Sequence, residues 1–77
     1  MTTYQFTVVL EPDEDGFHAY VPVLPGCHTF GRSLDEVRAN ISEAIELHVA
    51  VMRADGEPIP IESEALVIMR LSVPVAA

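Results

Sequence analysis

The sequence predicts an α+β domain of order β-β-β-α-β, in which one helix covers a single face of a small sheet. Three observations predict it. Apolar and polar residues alternate with period 2 through residues 3–10 and again from Phe17, and each run closes on a turn containing Gly or Pro. Behind "SLDE" at residues 33–36, apolar residues recur at three- and four-residue steps, the spacing of a helix with one buried stripe. Finally, "ALVIMRLSV" at residues 65–73 is almost continuously apolar and rich in branched side chains, the pattern of a strand covered on both faces.

Each element has a local cause. In the first strand, Tyr4, Phe6, Val8 and Leu10 share one face, and Thr3, Gln5, Thr7 and Val9 share the other. "EPDEDG" then reads as a polar loop closing on Asp15-Gly16, where glycine accepts a positive φ. The second strand is expected over residues 17–23, with Phe17, Ala19 and Val21 on one side and His18 and Tyr20 on the other. Pro22 in this run marks its end, an edge or a bulge. "LPG" makes a second tight turn, with Pro25 presetting φ at the first corner and Gly26 taking the strained one. A short third strand follows from Cys27 to Gly31 or Arg32.

Ser33 and Glu36 form a capping box, and Asp35 and Glu36 suit the positive end of the helix dipole. The helix is expected over residues 34–54, with Leu34, Val37, Ile41, Ala44, Ile45, His48 or Val49, and Met52 on its apolar face. Arg53 suits the C-terminal end, and Asp55-Gly56 supplies the stop. "EPIPIESE" is an extended connector. The last strand is expected to return beside the sheet as a parallel neighbour by a right-handed crossover, and Pro74 ends it. One helix covers one sheet face, so Val9, Tyr20 and half of the last strand need other cover, which self-association or a partner would supply.

Composition bounds the function. At 77 residues the chain is one domain, 1–77, with a thin core, and an oligomer of at least two copies is expected. Cys27 is the lone cysteine, so no internal disulfide helps. The N-terminus lacks the basic start of a signal peptide, and no apolar run is long enough to span a bilayer, so a cytoplasmic protein is expected, without membrane contact. Twelve acids face four bases, all arginine, for a net charge of −8. Nucleic-acid binding demands clustered basic residues, so direct DNA or RNA binding is excluded, whereas a basic protein would be drawn in by this field.

The candidate reaction centres are weak. Cys27 and His28 are adjacent on a strand, so their side chains point to opposite faces and the imidazole is badly placed to activate the thiol. His18 and His28 belong to neighbouring strands and would serve a metal only if they shared a side with an acid nearby, and no motif spacing supports that. "DEDG" at residues 13–16 resembles the start of a calcium loop, but the twelfth position is Leu24 where a glutamate is required. Gly16, Gly26, Gly31 and Gly56 are too scattered for a phosphate loop, and no serine lies in a nucleophile elbow. No catalytic residue, cofactor or metal is therefore expected, and the chain is not expected to be an enzyme.

The run "YQFTVVLEPDEDGFHAYVPVLPGCHTFGRSLDEVRANISEAIEL", continued by "GEPIP" at residues 56–60 and the final strand, resembles the HicB antitoxins and their stand-alone relatives. Pro25-Gly26-Cys27, Gly31, Ser33, Glu36, Asn40, Glu43 and Ala44 carry most of the likeness. The resemblance implies a partial ribonuclease-H-like β-β-β-α-β fold without the catalytic acids of ribonuclease H. It also implies a partner, a small basic HicA-type toxin that resembles a double-stranded-RNA-binding domain and cleaves messenger RNA, and whose active site the antitoxin shields. Many such antitoxins carry a C-terminal DNA-binding domain, whereas only "PVAA" follows Val73 here. The acids expected to meet a basic partner are Glu11, Asp13, Glu14 and Asp15 on the first hairpin and Asp35, Glu43 and Glu46 on the helix. The alternatives are a stand-alone homo-oligomer of orphan function, and a weak hydrolase or ligand-binding protein using His18, His28 or clustered acids.

Overall fold

The structure, a computed structural model, describes residues 3–62 and 69–76. Three strands, β1 (Val9–Asp13), β2 (Gly16–Tyr20) and β3 (His28–Gly31), precede one long helix, α1 (Leu34–Ala54). The strands form an antiparallel meander in the order β1-β2-β3. The structure thus shows a β-β-β-α arrangement of the α+β class.

β1 and β2 are joined by the two residues Glu14 and Asp15, with Asp13 opposite Gly16 and Val9 opposite Tyr20. The first strand therefore begins later than alternation alone predicts, and it runs into the stretch expected to be loop. The cause is its partner: β2 stops at Tyr20, ahead of Pro22, so residues 3–8 extend beyond it and pair with no strand among the described residues. They still contribute to the core, since Phe6 and Val8 pack against it. Pro12 has no N–H to give and sits on β1, an edge strand of this sheet, where none is needed on the outer side.

Two successive turns carry the chain from β2 to β3. The Leu24 N–H donates to the Val21 carbonyl at 3.0 Å, and the Cys27 N–H donates to the Leu24 carbonyl at 3.0 Å. In the second turn Gly26 has φ +86°, the left-handed corner expected after Pro25. The Val21 N–H, which donates to the Cys27 carbonyl at 3.1 Å, closes the pair.

α1 begins on one half of the expected capping box, the Ser33 cap without a return bond from Glu36, and it ends as its sequence specifies. The Ser33 hydroxyl accepts from the Glu36 N–H at 3.1 Å, and Asp35 and Glu36 occupy the first turn. At the other end, Gly56 N–H to Arg53 carbonyl and Glu57 N–H to Met52 carbonyl form a Schellman closure. Val37 and Ile41 are buried beneath the helix, and Ala44, Ile45, Val49 and Met52 pack around them. Leu34, expected on that face, is half exposed, since it lies in the first turn at the edge of the covered area. The core beneath is Ala19, Val21, Leu24, Cys27, Val37 and Ile41. Helix and sheet meet most closely at Gly31, where a Cβ would lie 2.7 Å from Val37 Cβ and closer still to the Val37 backbone.

Residues 65–68 of the expected last strand lie outside the described residues. Residues 69–73 are described; they carry no regular secondary structure, and Met69, Leu71 and Val73 are exposed. The expected strand is therefore not seen there, since a strand exists only as part of a ladder and, among the described residues, 69–73 join none.

Candidate functional site

The acids singled out from the sequence fall into three groups. Asp13, Glu14 and Asp15 crown the β1–β2 hairpin, all exposed. Asp13 also builds the turn: its Oδ1 accepts from the Asp15 N–H at 2.9 Å and the Gly16 N–H at 3.1 Å, which leaves the second oxygen for a partner. The tip adjoins Arg32, with which Glu14, Asp15 and Phe30 line a shallow depression. Arg32 leads directly into the Ser33 cap, and Asp35 lies exposed in the first turn of α1. Three of the seven candidate acids, Asp13, Glu14 and Asp15, share the hairpin tip.

Glu11, Glu43 and Glu46 are placed elsewhere. Glu11 lies opposite His18 on the face of the sheet that α1 does not cover. Glu43 and Glu46 are exposed further along α1. Eleven residues separate Asp35 from Glu46, about 16 Å along a helix at ~1.5 Å per residue. Glu46 borders a groove between the helix and the N-terminal segment, lined also by Tyr4, Phe6 and Arg53. There the Arg53 guanidinium stands 5.7 Å from the Tyr4 ring centre.

The uncovered sheet face follows from the register. Residues directly opposite on paired strands share a face. Val9 opposes Tyr20, which opposes His28; Glu11 opposes His18, which opposes Phe30. All six side chains therefore project from the side away from the helix. His18 and His28 do share a side, with ring centres 5.5 Å apart. Alternation had placed His18 with Tyr20, but Phe30 and His28 join them only through the β2–β3 register, which composition cannot supply.

Cys27 is no nucleophile in this setting. Its side chain is in the core, and burial pushes its thiol up from the ordinary value, which disfavours the thiolate. His28 is exposed on the opposite face. Among the described residues, no group of three or more His, Cys, Asp or Glu side chains is placed to hold a metal ion. No helix among them is long and apolar enough to cross a membrane.

What this geometry offers is a surface. An acidic hairpin tip, a half-apolar sheet face and a core that absorbs the one thiol suit recognition of a macromolecule. The family comparison agrees: a model described as "HicB_like antitoxin of bacterial toxin-antitoxin system" matches residues 6–71. The chain belongs to the HicB-like antitoxin family. It is 42% identical over 71 residues to a UPF0150 protein of Synechocystis sp., covering 91% of this chain and 87% of that one. It is 48% identical over 61 residues to a UPF0150 protein of Archaeoglobus fulgidus, covering 75% and 88%. A UPF0150 protein of Thermoplasma acidophilum is 40% identical over 57 residues, covering 73% and 83%. No solved structure gives a significant match.

Several residues that mark the HicB-like pattern have structural work here. Gly26 makes the turn, Gly31 admits the helix and Ser33 caps it. Asn40 ties α1 to the sheet, its Nδ2 donating to the Phe30 carbonyl at 2.8 Å.

Proposed function

We propose that this HicB-like chain neutralises a small basic HicA-type, mRNA-cleaving toxin in the cytoplasm by covering its active site, and that it catalyses no reaction itself. The observation that carries this reading is the exposed acidic hairpin tip of Asp13, Glu14 and Asp15 on a chain of net charge −8. Such a surface attracts a basic protein, raises the rate of encounter and occupies the cationic patch that an RNA-cleaving partner needs for phosphates. Glu11, Asp35, Glu43 and Glu46 extend the acidic field beyond that tip.

The test is inhibition of cleavage. Purified chain is titrated into a HicA-type toxin from the same organism acting on messenger RNA. Loss of cleavage with a sharp stoichiometric endpoint supports occlusion; undiminished cleavage at excess chain overturns it.

Exposure of apolar residues favours a further proposal, that the chain is at least a dimer. Tyr20 and Phe30 are 36% and 39% exposed on the open sheet face, and Met69, Leu71, Val73 and Val75 are more exposed still. A monomeric mass by analytical ultracentrifugation at micromolar concentration would refute it.

A further inference from the structure

The toxin reading above gives the two histidines of the open sheet face no task, and their spacing is chemically specific. His18 on β2 and His28 on β3 sit diagonally across neighbouring strands, with ring centres 5.5 Å apart and ring planes inclined by 50°. With a Zn–N bond of about 2.1 Å and a further ~1.1 Å to the ring centre, two imidazoles on one tetrahedral ion have centres about 5.2 Å apart. The separation of the ring centres therefore matches that of two imidazoles sharing one borderline divalent ion. His28 is exposed and His18 half-buried, so the ion has an approach from solvent.

One chain cannot complete the shell, because no third His, Cys, Asp or Glu joins the pair among the described residues. A second copy can. Open faces that meet about a two-fold axis present the same patch to each other, so one pair of imidazoles becomes two pairs around a common point. Four imidazoles on one ion make a closed tetrahedral set. The surroundings suit such a contact, since Val9, Tyr20 and Phe30 flank the pair and would be removed from water. The ion would also offset the repulsion between two chains of charge −8 whose Glu11 residues lie on the approaching faces.

We propose that His18 and His28 form half of a Zn2+-class metal site, which a second copy of this chain completes across the open sheet face. The proposal is independent of the toxin reading, since it uses none of the acids at the hairpin tip.

The experiment is a calorimetric titration of the metal-free chain with ZnCl2, repeated with CoCl2 and followed by visible absorption. The expected result is one ion per two chains, and for Co2+ the intense visible bands of a tetrahedral ion. His18→Ala and His28→Ala are each expected to weaken binding at least tenfold. Should an alanine variant fail to fold by circular dichroism, His18→Gln and His28→Gln replace it. One ion per chain, the weak spectrum of an octahedral ion, or binding indifferent to both histidines would each overturn the proposal. Stoichiometry reads the site whether or not the metal-free chain already self-associates through another surface.

Discussion

Gly31 shows how tightly a single residue is specified. Its missing side chain lets the Val37 backbone rest against β3, so Gly31→Ala forces helix and sheet apart. Overpacking of this kind costs about 1–3 kcal/mol, and urea denaturation is expected to show a loss in that range. Ser33→Ala removes the acceptor of the Glu36 N–H and is expected to cost about 1 kcal/mol by the same measurement. Cys27 makes a pH-dependent contribution. Because burial raises the folded-state value of its thiol, the unfolded chain gives up that proton first. The contribution is complete below the ordinary thiol range and is lost as pH rises through that range to the raised folded value. The alkaline fall of the unfolding midpoint is expected to be shallower in Cys27→Ala than in the native chain.

At the scale of elements, α1 holds the domain together, and it does so through few residues. Ile41 and Val37 are the helix residues buried in the core, and Ile41→Ala is expected to cost about 2–5 kcal/mol. Thermal unfolding followed by circular dichroism checks this. The helix was fully legible in the sequence because its period, cap and stop are local signals that agree: Ser33 and Asp55-Gly56 bracket it, and both function as read. The "LPG" turn was legible for the same reason. β1 was misplaced because a strand is defined by its partner. Alternation marked Tyr4, Phe6 and Val8 as half-buried, which they are, but not that β2 would end before reaching them. The tie from Asn40 to the Phe30 carbonyl was invisible too, since nothing local says which backbone group an amide ten positions away will meet.

For the molecule as a whole, charge was readable at once and its arrangement only in part. The sequence named seven acids, and the fold sets Asp13, Glu14 and Asp15 exposed at the hairpin tip, with Glu14 and Asp15 beside Arg32. Reversing Asp13, Glu14 and Asp15 to lysine is expected to slow association with a basic toxin at least tenfold and to flatten its salt dependence, as read by stopped-flow mixing. Unchanged rates would move the contact to Glu43 and Glu46 on the helix. The N-terminal segment carries a different consequence. Among the described residues, 3–8 join no ladder, yet the Thr7 N–H is held by the Glu62 carboxylate from the segment beyond α1. In deuterated solvent, the amides of β2, paired on both sides, retain their protons longest. Thr7 is expected to stand out as a slow amide among fast neighbours, and Glu62→Ala to release it to their rate. One isotope-labelled spectrum would thus report whether the N-terminal segment is tied to the segment that follows α1.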